Sequence, residues 1–183
     1  LLSFEFDEVV HLPSFDVSTI TLQSARFSDF VGSRTLSADN GTECFYEDVN
    51  ATYANVRLGR DDLDAIKALA GVGLALDAET TFLSHEIGLV EDVSGNPSDE
   101  LQSYKGMGPA NNFTRDSTPP KLLSLQKISM TKKILYAIFD EPVDHEGFNR
   151  SHWFLSRSQV GGHYSLGDDP TVEVIDPFTE EDG

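Results

Sequence analysis

Positive charge is scarce in this sequence: 13 lysines and arginines stand against 31 aspartates and glutamates, for a formal net charge of −18. A protein that grips nucleic acid needs a basic footprint over the phosphates, so nucleic acid is excluded as a partner. No apolar run approaches the roughly 18 residues needed to cross a bilayer, so this segment is expected not to insert into a membrane. The opening Leu1-Leu2-Ser3-Phe4-Glu5 has neither an initiator methionine nor a basic-then-apolar leader, which reads as a mature, processed or fragmentary start. A single cysteine, Cys44, rules out a disulfide within these residues. In a secreted protein such a residue is a candidate for an interchain disulfide; the alternative is a small buried hydrophobe beside Phe45 and Tyr46.

Catalytic constellations are missing too. The five histidines (His11, His85, His145, His152 and His163) form no H-E-x-x-H and no close ligand pair, which argues against zinc. Gly71-Val72-Gly73 and Gly106-Met107-Gly108 lack the residues that complete a phosphate loop. Ser151-His152 has no nucleophile elbow around it. The adjacent acids Asp7-Glu8 and Asp140-Glu141 cannot flank one glycosidic bond, because neighbouring strand residues point to opposite faces. The chain is accordingly expected not to be an enzyme. Hydrophobic residues make up 39% and there are 14 glycines, enough apolar chain for a globular core despite the acidity.

Asparagine sequons are in excess. Asn40-Gly41-Thr42, Asn50-Ala51-Thr52, Asn112-Phe113-Thr114 and Asn149-Arg150-Ser151 fit the N-glycosylation acceptor, whereas Asn96-Pro97-Ser98 is excluded by its proline. Chance supplies roughly one or two such triplets in this length. Asn40, Asn50, Asn112 and Asn149 are therefore candidate carriers of N-linked glycans, with solvated Asn/Thr turns as the alternative. The expected location is extracellular or at the cell surface.

The chain also resembles itself. Placing Leu2-Ser3-Phe4-Glu5-Phe6-Asp7-Glu8-Val9-Val10 over Leu135-Tyr136-Ala137-Ile138-Phe139-Asp140-Glu141-Pro142-Val143 sets an offset of 133. At the same offset Phe15 falls on Phe148, Asp16 on Asn149, Ser18 on Ser151, Ile20 on Trp153 and Leu22 on Leu155. Each copy reads as an alternating strand ending in Phe-Asp-Glu, then a turn, then a second strand. Trp153 is read as a core residue because it aligns with Ile20. Copy two is expected to open near Thr118-Pro119-Pro120, a stiff joint. On this reading 1–103 is one repeat lacking its first strand, 104–117 is a linker, and 118–183 is the first half of the next repeat, all cut from a longer array.

Within copy one, short extended runs are expected at Leu1–Phe6, Thr19–Gln23, Ser33–Ser37, Tyr53–Leu58, Thr81–Ser84 and Gly88–Glu91. Asp61–Gly71 stands apart. Acids in its first turn, apolar residues at 63, 66, 69 and 70 and a closing glycine predict a short inserted helix over about 61–70.

Three motifs together resemble a known pattern: Asp116-Ser117-Thr118-Pro119-Pro120, Phe139-Asp140-Glu141-Pro142-Val143, and Asp92-Val93-Ser94-Gly95-Asn96-Pro97. They are similar to the tandem Ig-like repeats of large surface proteins of bacteria and microbial eukaryotes. The helix and the long 26–52 insertion look more like the eukaryotic microbial version, found in adhesive or mastigoneme-like flagellar-hair proteins. The resemblance implies a mainly β fold of tandem Ig-like β-sandwiches without enzymatic activity.

Calcium is the candidate cofactor, because acid-rich loops at strand ends supply the oxygens a hard cation needs. Asp7, Asp92, Asn96 and Asp140 are its candidate ligands, with Asp168 and Asp169 beside them. No EF-hand spacing is present, since Asp61-Asp62-Leu63-Asp64 lacks the loop glycine and distal glutamate. The expected function is that of a structural module of a long extracellular glycoprotein. It would assemble into a filament, stalk or flagellar hair with other copies of itself or other repeats of the same chain. The alternative is a cell-surface adhesion or carbohydrate-binding module, with calcium as a candidate requirement.

Overall fold

Apolar and polar residues alternate at the start of the chain, and the alternation makes a strand: Leu2, Phe4 and Phe6 are half-buried while Ser3, Glu5 and Asp7 are exposed. The structure, a computed structural model, describes residues 1–27, 32–110, 112–129, 131, 134–144, 147–156 and 163–168. The chain is mainly β, with antiparallel sheets and, among the described residues, one α-helix. It divides into two compact units, Leu1–Pro119 and Pro120–Gly183.

The first unit contains β1 (Leu2–His11), β2 (Ile20–Gln23), β3 (Ser33–Thr35), β4 (Glu43–Phe45), β5 (Asn50–Arg57), α1 (Arg60–Ala68), β6 (Phe82–His85) and β7 (Glu91–Asp92). One sheet has the order β4-β5-β1-β7 and the other β3-β2-β6. Both feed one interior. Ile20 and Leu22 of β2 are buried with Leu36, Ile66, Leu74 and Leu89, and Leu2 and Phe4 of β1 pack against that cluster. A second cluster joins Val10, Leu12, Ala54 and Val90. Phe4 and Phe15 touch both clusters, their rings edge to face at 5.5 Å. Burying each large aliphatic side chain in this way contributes about 1.5–3 kcal/mol.

β1 does not end at Phe6. It runs on to His11 because the pairing with β5 slips: Glu5 faces Tyr53 and Val10 faces Ala51, leaving Phe6–Val9 bulged opposite Thr52. Beyond the bulge Val10 is buried in the second cluster. Other strands are shorter than expected or shifted. β3 stops at Thr35, and Leu89 and Val90 are buried without belonging to β7. β4 carries no pattern in its three residues; its partner β5 makes it a strand, with Cys44 opposite Val56.

α1 is capped by Gly59 and continues as a 3-10 turn over Leu69–Val72 that closes on Gly73, at φ 95°. The terminating glycine is therefore Gly73 rather than Gly71, because only the former adopts the left-handed conformation. Leu63 is 39% exposed, contrary to the expected stripe, while Asp62 is fully buried. Residues 62, 66 and 69 share the inward face, and Leu63 is rotated off it.

Part of the stretch expected to be a linker lies along β6. Met107 exchanges two backbone hydrogen bonds of 2.8 Å with Leu83, and Gln23, 1% exposed, donates to the Ser103 carbonyl at 2.6 Å. Asp116 pairs with Lys67 of α1 at 2.7 Å, which holds its carboxyl below the usual range.

The second unit contains β8 (Leu122–Ser129), β9 (Ile134–Phe139), β10 (Phe154–Ser156) and β11 (His163–Ser165), as two antiparallel pairs. β10 follows a 3-10 turn, Arg150–His152, that Asn149 caps. Trp153 is half-buried against Phe148, with ring centroids 5.2 Å apart, whereas Ile20 is 0% exposed.

Among the described glycines of the first unit the tightest surroundings are at Gly59, where a Cβ would run into the carbonyl oxygen of Asn40. Gly59→Ala is expected to cost about 1–3 kcal/mol through forced displacement. Urea unfolding should show a lower midpoint at unchanged slope; an unchanged midpoint would mean that the approach is not tight.

Candidate functional site

The most heavily bonded side chain among the described residues is the carboxylate of Asp62. It is fully buried and accepts five hydrogen bonds: from Arg34 Nε at 3.0 Å and the Arg34 terminal nitrogen at 2.6 Å, Ser37 N–H at 2.8 Å, Asn40 Nδ2 at 2.8 Å and Thr42 Oγ1 at 2.6 Å. Thr42 in turn accepts the Gly59 N–H at 2.9 Å. Burial by itself raises the Asp62 pKa, but the bonds from Thr42, Asn40, Ser37 and Arg34 more than reverse this and hold it low. A carboxylate saturated in this way is a clamp and has no free lone pair for catalysis. Reading Asp62 only as a dipole-opposing acid misses this role. Its spacing of four and seven residues from Ile66 and Leu69 was the available signal, since it puts an acid on the apolar stripe.

The four sequons stand in different surroundings. Asn40 donates its Nδ2, the attachment atom, to Asp62, and Thr42 is buried. Asn50 opens β5, is exposed, and its Oδ1 accepts from His11 Nδ1 at 3.1 Å. Asn112 is exposed at φ 47°. Asn149 is exposed, and its Oδ1 accepts from Ser151 N–H at 3.0 Å and Ser151 Oγ at 2.6 Å. That also settles Ser151: its hydroxyl completes a turn.

The candidate calcium ligands belong to different elements of the two units. Asp7 lies in the β1 bulge and Asp140 in the second unit. Asp92 and Asn96 share one turn. There Asp92 Oδ1 accepts the Ser94 and Asn96 N–H groups, both at 2.8 Å, and Oδ2 accepts Asn96 Nδ2 at 2.7 Å. Asn96, first among the causes, and the surrounding N–H groups hold the Asp92 pKa low. Asp140 Oδ1 accepts the Lys121 N–H at 2.7 Å. Asp168 closes a 3-10 turn, and Asp169 lies outside the described residues. Among the described residues no three His, Cys, Asp or Glu side chains converge on one point. Cys44 is half-buried beside the cluster of Val10, Leu12 and Ala54, and burial pushes its thiol up, away from the reactive thiolate.

A polar groove of about 350 Å³ lies along β2 and β6, lined among others by Thr19, Thr21, Ser33, His85, Glu86, Glu100 and Tyr104. Tyr104 is 52% exposed. His85 Nδ1 lies 2.9 Å from the Glu86 carbonyl oxygen, so that nitrogen carries the proton. The Ser84 hydroxyl at its floor is committed to Gln23 Oε1 at 3.0 Å. Its lining holds hydroxyls, carboxylates and the Tyr104 ring; the Thr19 and Thr21 hydroxyls are already bonded to the Asp16 carbonyl and to Thr35, and Glu100 accepts from Gln102 at 2.6 Å. In comparisons with family models, curated proteins and solved structures, the chain matches none. No helix of the described residues is long and apolar enough to cross a membrane.

Removing one partner of a buried ion pair leaves an unpaired charge, so Asp62→Ala is expected to cost about 3–5 kcal/mol. The pH dependence has a definite sign. Because the folded-state pKa is depressed, the unfolded chain binds the proton first. The contribution is complete above the unfolded value of about 3.9 and is lost as pH falls through the folded one. The stability gap between the parent and Asp62→Asn should therefore narrow on acidification. A gap that stays constant down to about pH 2 would remove the carboxylate as its source.

Proposed function

We propose that this chain is a structural module of a long extracellular glycoprotein, built of Ig-like repeats and assembling into a filament, stalk or flagellar hair. The observation that carries this reading is a pair of capped turns 133 residues apart. Asp16 Oδ1 accepts from Ser18 N–H at 2.9 Å and Ser18 Oγ at 2.6 Å, and Asn149 Oδ1 makes the same two bonds to Ser151. Each turn is a three-residue 3-10 helix, closed by a bond from the next N–H (Ile20 to Val17, Trp153 to Arg150) and leading directly into an antiparallel strand. An aromatic residue precedes each cap, Phe15 in one copy and Phe148 in the other, and a strand running through or up to Phe-Asp-Glu lies upstream of each. Repeated supersecondary units of this kind suit quasi-linear assemblies, in which contacts between successive units and neighbouring chains set stiffness.

Exposure of Asn50, Asn112 and Asn149 supports the glycoprotein reading. On secretion from a eukaryotic host, we expect these three to carry glycan, with a mass loss and Asn-to-Asp conversion at each on enzymatic deglycosylation. Unmodified asparagine at all three would overturn that part of the reading. The acidity adds a second expectation. Chains of net charge −18 repel at low ionic strength, so native fibres should loosen on dilution of salt and hold in its presence. Electron microscopy of the native protein at both salt levels tests assembly directly; dispersed particles under every condition would sink the filament reading.

One observation favours a second reading, adhesion or carbohydrate binding: the polar groove with its exposed Tyr104. Glycan binding that is lost in Tyr104→Ala and unaffected by fibre formation would move the assignment there, and sensitivity of that binding to chelation would bring calcium with it.

A further inference from the structure

Of the asparagines in the sequence, Asn40 alone is followed by glycine. In an open chain that dipeptide is chemically labile. With no side chain on Gly41 to obstruct it, its nitrogen can swing against the Asn40 Cγ. The N–Cγ bond forms, the Cγ–Nδ2 bond breaks, and Nδ2 takes up the proton of the Gly41 nitrogen and leaves as ammonia. Water then opens the resulting succinimide at one carbonyl or the other, leaving aspartate or isoaspartate at position 40.

The fold opposes each of these movements. Nδ2, the leaving group, donates to Asp62 Oδ1 at 2.8 Å. The attacking nitrogen is engaged as well, because Gly41 N–H donates to the Ala38 carbonyl at 3.0 Å. Asn40 N–H donates to the Ser37 carbonyl at 3.1 Å, which fixes the other end of the residue. The peptide bond between Asn40 and Gly41 has no room to turn, because the Gly59 backbone lies against it. A Cβ on Gly59 would come within 2.6 Å of the Gly41 carbonyl carbon and would run into the Asn40 carbonyl oxygen. Gly59 is itself held, its N–H donating to Thr42 Oγ1 at 2.9 Å.

The product suits the clamp as poorly as the reactant suits it well. Asp62 is fully buried, and Arg34, Ser37, Asn40 and Thr42 all donate to it. A carboxylate at position 40 has no proton to donate at neutral pH, and it sets a second negative charge within hydrogen-bonding distance of the first.

We propose that Asn40-Gly41 is a deamidation site that the closed Asp62 clamp protects, and that reaction there bars the chain from closing the clamp again. A chain that stays open too long is thereby marked and lost from the folded pool. The inference stands apart from the structural reading and needs neither repeats, fibres nor glycans.

The test uses the full chain made in a host that does not glycosylate, held at mildly alkaline pH with and without urea, with deamidation at Asn40 read by peptide mass mapping. The reaction should be at least about tenfold slower in buffer than in urea, because slow chemistry follows the open fraction. Arg34→Lys removes one of the two guanidinium bonds to Asp62. It should speed the reaction in buffer about three- to tenfold, as for one lost hydrogen bond, and leave the rate in urea unchanged. Asn40→Asp, the reaction product, should unfold at a lower urea midpoint than Asn40→Ala, which loses the same donor without gaining a charge. After dilution from urea, deamidated chains should be depleted from the protease-resistant fraction. Equal rates in buffer and urea, an unchanged rate in Arg34→Lys, a midpoint for Asn40→Asp at or above that of Asn40→Ala, or an undepleted fraction would each overturn the proposal. The first comparison uses the parent chain alone, so it stands even where a variant does not fold.

Discussion

A carboxylate buried away from water has to be answered by donors on every side, and in the first unit the donors to Asp62 hold the rest in place. Arg34 comes from β3, Ser37 and Asn40 from the turn after it, and Thr42 from the approach to β4. None of these segments has enough regular structure to find its position alone. Converging on one charge, they bind the insertion to the first turn of α1, and Thr42 reaches on to the Gly59 N–H that begins the helix. Fixing α1 fixes Ile66, and with it the cluster containing Ile20, Leu22, Leu36 and Leu74. Apolar residues of similar volume could equal the stability of such a pair. They would supply no directional bonds to orient the loop.

β1 connects the other half of the unit. Its first residues pack on the cluster beneath β2, and after the bulge Val10 enters the cluster with Leu12, Ala54 and Val90. Without the bulge a continuous strand would keep the even-numbered residues on one face of a single ladder; with it, the strand bends and serves both clusters. One element thus ties both clusters together through its side chains.

The groove beside β6 and the turn at Asp92 show how polar residues in a β protein divide between roles. Gln23, Ser84 and Asp92 spend their hydrogen bonds on the chain itself. Tyr104 and Glu86 line the groove, whereas the Thr19 and Thr21 hydroxyls beside them are bonded to the Asp16 carbonyl and to Thr35. Residue type does not separate these groups; the partners do.

What the sequence determined by itself was local. Alternation announced β1, and the cap at Asp16 and its counterpart Asn149 lay within two residues of their partners. Such features form from neighbours along the chain, so their residues suffice to reveal them. The helix was legible for the same reason, to within a turn at its end. The tertiary structure decided what depends on distant residues. It turned Asp62 inward toward an arginine 28 positions away, made a strand of Glu43–Phe45 by giving it β5, bulged Phe6–Val9, and tied Asn40 and Thr42 into a clamp. A charge is buried only where donors from elsewhere meet it, and a short strand exists only beside its partner; neither condition can be read from the residues that satisfy it.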